Sequence, residues 1–147
     1  LKDGNAGAQG NLQAFDRYAL EVFNGQQWDR LGESHSPDVV VHWPCGYQTQ
    51  GLQAHRESLA LMFVYAPDTR IESQLRIASG DLTAETAVMT GTFSQPMPKQ
   101  DGTAIAPTGK QFSLSTCTMA RWQDGVMVEK WYYYDNAAYL RQMGIGQ

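Results

Sequence analysis

The sequence predicts an α+β domain in which helices come first and strands follow. Apolar residues recur at helical spacing through residues 11–31, and β-branched or alternating segments fill residues 69–134. The last of these segments gives way at Asp135 to a short amphipathic stretch. Strands gathered after helices, rather than alternating with them, suit helices laid on one face of an antiparallel sheet.

Each element has its own signal. In NLQAFDRYALEVFNGQQWDRL, residues Leu12, Phe15, Ala19, Val22 and Phe23 fall on one helical face. Asn24-Gly25 ends that helix, because both residues tolerate positive φ. A short second helix carries Trp28 and Leu31. In HSPDVVVHWP, Pro37 starts a segment that runs through Val39–Val41 and stops at Pro44, which reads as a strand. Gly51 opens a helix with Leu52, His55, Leu59 and Met62 on one side, and Pro67 ends it. TRIESQLRIAS and TAETAVMTGTFSQ are strands about a Gly80-Asp81 turn. PMPKQDGTAIAPTG, with three prolines, is predicted as a long loop. KQFSLSTCTMARW and VMVEKWYYY form a hairpin about Asp124-Gly125, a pair suited to a tight turn. Asp135 stands at the N-cap of a last helix that closes at Gly144. Neighbouring hairpins predict a curved sheet, and helices over one face leave a cone with an apolar pocket.

Composition bounds the function. The 147 residues, 42% of them hydrophobic and 11% aromatic, suit one domain with one core. Eleven Lys and Arg face fifteen Asp and Glu, for a net charge of −4 and no basic run. That excludes the footprint of nucleic-acid binding. No apolar run reaches membrane-spanning length. The polar, Gly-rich residues 1–10 read as a flexible leader without a signal-peptide core, and residues 11–147 as a single domain. Cys45 and Cys117 belong to no CxxC pair, so they read as buried thiols of a reducing compartment, and the expected location is cytoplasmic.

The residues that could carry chemistry cluster near the C-terminus. Asp135 is either an acid/base carboxylate or only a helix cap, and the roles compete because backbone N–H groups tie up a capping carboxylate. On a strand Tyr132 and Tyr134 share one face with Lys130, while Glu129, Trp131 and Tyr133 take the other. His42 shares a face with Val40 and is either a base or a structural hydrogen-bonder. His55 sits on an apolar helix face as a core histidine, and His35 is expected to be solvated. Histidines this scattered show no metal-ligand spacing. GTAIAPTGK lacks the strand–GxxxxGK[ST]–helix arrangement of a phosphate loop, no Gly-x-Ser-x-Gly elbow occurs, and Cys117 lies mid-strand.

Five stretches, in order, resemble the SnoaL-like polyketide cyclases of the nuclear transport factor 2-like superfamily. VFNGQQWDRL resembles the F-N-x-G-D-x-D-x-L helix ending, and PDVVVHWP is similar to P-D-[FY]-V-x-H-x-P at Asp38, His42 and Pro44. PTGKQFSL resembles P-T-G-[RK]-x-[FV], and DGVMVEKW resembles D-G-[KR]-I-V-E-x-W. DNAAYLRQMG matches D-x-x-G-L-L-x-Q-L-G at Asp135, Leu140, Gln142 and Gly144. The resemblance implies a cone fold and intramolecular aldol condensation with no metal and no cofactor. It places the family's acid/base Asp, directly after the Trp, at Tyr132, and its assisting His at Thr118. Related members that hydroxylate aromatic polyketides are a further possibility.

The expected catalytic set is Asp135, His42 and Tyr132. The expected pocket walls are Tyr134, Thr118, His55, Trp43 and Phe15. The partner expected is a hydrophobic, polyketide-like small molecule, with aldol cyclisation or related isomerase or lyase chemistry. The alternatives on the same fold are a binding module without catalysis and an interaction domain. A homodimer through the sheet is expected in every case, with Trp131 and Tyr133 in the seam.

Overall fold

The computed structural model describes residues 2–146. Helix α1 (Lys2–Arg17) continues through a π-helical segment, Tyr18–Phe23, and a 3-10 turn follows at Trp28–Glu33. Strand β1 (His35–His42), the short β2 (Gln48–Gln50) and helix α2 (Leu52–Tyr65) come next. Strands β3 (Arg70–Ser79), β4 (Leu82–Thr92), β5 (Met97–Pro98), β6 (Ala104–Ile105), β7 (Gln111–Gln123) and β8 (Val126–Tyr134) precede helix α3 (Asn136–Gln142). The helices-then-strands order predicted from the sequence is the order observed.

Six strands form one curved sheet in the order β2-β1-β8-β7-β4-β3. All neighbours are antiparallel except β1 and β8, which run parallel. The sheet does not close. Its edge β3 carries Arg70, Glu72 and Arg76, charges that discourage edge-to-edge pairing. Period-2 alternation sends Thr83, Glu85, Ala87 and Met89 of β4 and Phe112, Leu114, Thr116, Ala120 and Trp122 of β7 inward. The helices cover that face, and Phe93, Met89, Met127, Met143, Val39 and Val41 are shielded from solvent. The hairpin turn has φ of 52° at Asp124 and 82° at Gly125, the paired positive values of a primed turn.

Four local expectations are corrected. The chain is helical from Lys2, so the stretch read as a leader is the start of α1, with Ala8 already buried. The turns from Leu12 to Phe15 pack on the sheet, and helix propagates backward from them at low cost. After Phe23 the positive φ falls on Gln26, at 52°, while Asn24 stays right-handed. Gly25 is needed for space: a Cβ there would stand 2.3 Å from the carbonyl oxygen of Glu21. The Asn24 side chain instead clamps the edge strand, its Nδ2 donating to the Ile71 carbonyl at 3.0 Å and its Oδ1 accepting from the Ile71 N–H at 2.8 Å. The proline-rich stretch predicted as loop contains the small β5–β6 hairpin, Met97 facing Ile105. Finally, Cys45 is exposed and Cys117 half-buried; both are free thiols, but neither is a core residue.

Candidate functional site

The inner face of the sheet and the helices enclose a small, partly open cavity of about 30 Å³. That is room for roughly one or two waters. Its walls include Phe15 and Tyr18 from the first helical run, Val41 and Trp43 from β1 and its exit, His55 and Leu59 from α2, and Thr118, Lys130 and Tyr132 from the sheet. Most of this lining is apolar, so any charge within it is held away from water.

Lys130 is that charge. Parity puts it inward between Trp131 and Glu129, and it is only 4% exposed. Its Nζ lies 3.1 Å from His35 Nε2, 3.1 Å from His55 Nε2 and 3.3 Å from the Tyr18 hydroxyl, and it sits 4.6 Å from the centre of the Tyr18 ring. No carboxylate forms an ion pair with it among the described residues. Burial pushes the ammonium down to about 7, and the charge of Glu85 opposes the shift without cancelling it. Glu85 is itself buried on β4, accepts a 2.9 Å hydrogen bond from the Ser73 hydroxyl, and is raised above the usual carboxylate range by desolvation.

The two histidines are shifted the other way. Burial first, and the Lys130 charge second, hold both well below the usual imidazole value, so both are neutral at pH 7. His35 Nδ1 lies 2.9 Å from the Ser34 hydroxyl and 3.1 Å from the Leu31 carbonyl; with its proton on Nδ1, the ring donates to that carbonyl and turns the Nε2 lone pair to Lys130. His55 differs: its buried Nδ1 has no hydrogen-bond partner. Tyr18 opens the π-helical segment, a local distortion that recurs at functional sites. Burial, helped by the charge of Glu85, raises its phenol far above the ordinary value, so it stays protonated.

The sequence-predicted residues separate into two groups. Tyr132, Thr118, His55, Trp43 and Phe15 line the cavity. Tyr132 and Thr118 are direct cross-strand partners. The Tyr132 hydroxyl lies 3.7 Å from Met89 Sδ and is held protonated, chiefly by burial. Trp43 packs edge-on to Tyr132 at 6.0 Å, and its Nε1 donates to Thr49 Oγ1. Tyr134 stands beside Tyr132 on the inward side and packs against Tyr139, behind the cavity wall.

His42 and Asp135 lie elsewhere. His42 is on the outer face of the sheet, bonded at 2.7 Å to Glu129 and stacked on Trp131 with ring centres 5.4 Å apart. Val39, Val41 and Trp43 take the inward parity of β1, which turns His42 outward. Asp135 is exposed, and its Oδ1 accepts from the Ala138 N–H at 3.0 Å. It is the helix cap, a role worth about 1 kcal/mol to a helix. His35, expected to be solvated, is 1% exposed and sits at the centre of the cluster. Its parity with Val39 and Val41 was the available signal, blurred by the exposed Pro37 between them. Tyr18 and Glu85 carried no signal that marked them as site residues. Lys130 had the inward parity but no partner in sequence to suggest a role. Among the described residues no group of three or more His, Cys, Asp and Glu is placed to hold a metal ion.

A model of the SnoaL-like polyketide cyclase family matches residues 13–143. No curated protein matches the sequence. Among solved structures, the chain is similar to a candidate SnoaL-like polyketide cyclase from Jannaschia sp. CCS1, with a TM-score of 0.83, 18% identity and 95% of each chain covered. It is similar to IdmH, a candidate polyketide cyclase from Streptomyces antibioticus, with a TM-score of 0.75, 26% identity, and 92% of this chain and 99% of that one covered. AclR, a candidate hydroxylase from Streptomyces galilaeus, has a TM-score of 0.76 at 19% identity over 93% of this chain and 82% of that one.

Proposed function

We propose, because the chain belongs to the SnoaL-like polyketide cyclase family, that it is a cofactor-independent enzyme for a hydrophobic, polyketide-like small molecule. The reaction removes a proton from carbon beside a carbonyl, as aldol ring closure or a related isomerase or lyase step requires. One observation supports this above the others: a buried amine, lowered to about 7, faces the apolar cavity between two neutral imidazoles. An amine so tuned is half unprotonated near neutral pH and can take the proton. The phenols of Tyr18 and Tyr132, held protonated, are donors for the enolate oxygen. Tyr132 stands where the family pattern has its acid/base Asp, and on this reading Lys130 assumes the proton-transfer role. The cytoplasmic location stays part of the proposal. Among the described residues no helix is long and apolar enough to cross a membrane.

The test is deuterium exchange at the activated methylene of dimethyl malonate, followed by NMR. Wild-type protein should accelerate exchange, and Lys130→Met should lose about 10²–10⁴-fold of that acceleration. Lys130→Arg, which keeps hydrogen-bond donors but cannot act as a base, should lose a similar factor. Exchange no faster than buffer, or variants at the wild-type rate, would overturn the proposal. The second reading is a non-catalytic binding module. Tyr132 and Thr118, at the positions where the family pattern has its acid/base Asp and assisting His, favour it.

Self-association belongs to the same proposal. On the outer face, pairing registers line up Leu75, Thr86, Cys117 and Tyr133 in one row and Ile77, Ala84, Met119, Trp131 and His42 in the next. Leu75 and Ile77 are 73% and 71% exposed, an apolar stripe that a second copy of the chain would cover. Sedimentation should show a dimer that Leu75→Lys with Ile77→Lys dissociates. A monomer at every concentration rejects the pairing.

A further inference from the structure

The geometry points to a covalent role for Lys130: its amine captures the aldehyde or methyl-ketone end of a small apolar carbonyl compound as an imine. This rests on the reading of the cavity as a small-molecule site and adds the substrate class and the mode of binding.

Three features carry it. First, Lys130 lines a cavity whose other walls include Phe15, Phe23, Val41, Leu59 and Ile71, so a carbonyl carbon that enters meets the amine in a water-poor setting. Second, acceptors surround the amine. Nζ lies 3.1 Å from His35 Nε2 and 3.1 Å from His55 Nε2 and donates to the Tyr18 hydroxyl oxygen at 3.3 Å, so the neutral amine can give its N–H groups to these neighbours and keep its lone pair for a carbonyl carbon. Third, when His55 Nε2 accepts from the amine, the proton of His55 resides on Nδ1, and that buried donor has no partner. The cluster therefore holds a buried donor that its own residues leave unmet. The cavity of about 30 Å³ sets the size: it admits the carbonyl end of a ligand and little more.

The step balances without a co-reactant. The Nζ lone pair bonds to the carbonyl carbon, and the C=O π pair moves to oxygen, which takes a proton to give a carbinolamine. A proton leaves Nζ, with an imidazole Nε2 lone pair in reach to receive it. That proton supplies the oxygen, and the second Nζ proton is relayed the same way to the carbinolamine hydroxyl, which departs as water while the nitrogen lone pair forms the C=N bond. Nothing is oxidised or reduced, and water is the only by-product. The groups around the amine are Tyr18, His35 and His55, with Glu85 acting at longer range.

Intact wild-type protein with propanal or butanone and cyanoborohydride at pH 7 tests this, read by peptide mass mapping. The chain has only Lys2, Lys99, Lys110 and Lys130 to compare. An ordinary surface lysine is neutral roughly a thousandfold less often at pH 7 than an amine of pKa about 7. Alkylation should therefore reach Lys130 first, leading Lys99 and Lys110 by about tenfold or more. Alkyl groups on Lys99 and Lys110 with Lys130 untouched would sink the inference. Dimethyl malonate has no aldehyde or ketone, so the outcomes separate. Malonate exchange without trapping at Lys130 keeps the proton-transfer proposal and rejects the imine. Trapping without exchange does the reverse.

Discussion

Folding stability should rise by roughly 4 kcal/mol between pH 7 and pH 10, a range in which most small proteins gain little. The cause is Lys130. In the unfolded chain its amine stays protonated up to about pH 10.4, whereas in the fold burial brings it to about 7. Across that window the unfolded state binds one more proton, and each pH unit adds about 1.4 kcal/mol to the stability of the fold. Below pH 6.5 the same sign continues through His35 and His55. Both are lowered in the fold, so the unfolded state again binds more protons as pH falls. Glu85, raised by burial, works in the opposite sense near its own titration. The rise ends near pH 10, where unfolded tyrosines ionise but the buried Tyr18, Tyr132 and Tyr139 do not. Urea denaturation at unit pH steps measures the slope. Lys130→Met should flatten the limb from pH 7 to 10 and keep only the part of the acid limb that burial of the two histidines sets. A flat wild-type profile would show that water reaches the amine and that its proton affinity is ordinary.

Phe93→Ala should cost about 3–5 kcal/mol. Phe93 is fully buried just after β4 and meets Tyr65 edge to face, with ring centres 6.2 Å apart. Its N–H donates to the Lys110 carbonyl at 2.9 Å, and its carbonyl accepts from the Gly109 N–H at 2.8 Å. With both backbone groups tied, the chain cannot slide inward to fill the space a missing ring leaves. The void therefore persists, and lost contacts add to lost transfer energy. Its neighbourhood includes the 2.8 Å bond between the Tyr65 and Tyr139 hydroxyls, which joins α2 to α3 behind the cavity. Equilibrium denaturation measures the loss. A change below about 1 kcal/mol would mean that the helices close over the gap.

The legible parts of this protein were those whose cause is local. Helix spacing in Leu12, Phe15, Ala19, Val22 and Phe23 located the helix that carries the cavity's first wall. The Asp124-Gly125 pair located the β7–β8 hairpin, and both residues adopt the positive φ such a turn requires. The family pattern L-x-Q-x-G near the end also has a local account. Gln142 Oε1 accepts from the Ser113 N–H at 2.7 Å, tying α3 to β7, and Gly144 takes φ of 78° past the helix end. Strand parity put Tyr132 and Lys130 on one side and Trp131 on the other. Parity failed for His42 because three successive valines erase the alternation that would tell inside from outside. It failed for Asp135 because a cap and a catalytic carboxylate look alike until the N–H it serves is seen.

By itself, then, the amino-acid order determined the kind of elements, their succession, and which side chains alternate together, since periods of 3.6 and 2 are properties of the chain over a few residues. Only the tertiary structure decided that His35, His55, Tyr18 and Lys130 meet at one nitrogen. Their separations of 75 to 112 positions from Lys130 are bridged by the parallel β1–β8 pairing and by helices packed on the concave face. The lowered proton affinity of the amine belongs to that arrangement as well, because desolvation depends on everything around a group and on nothing in its own stretch of chain.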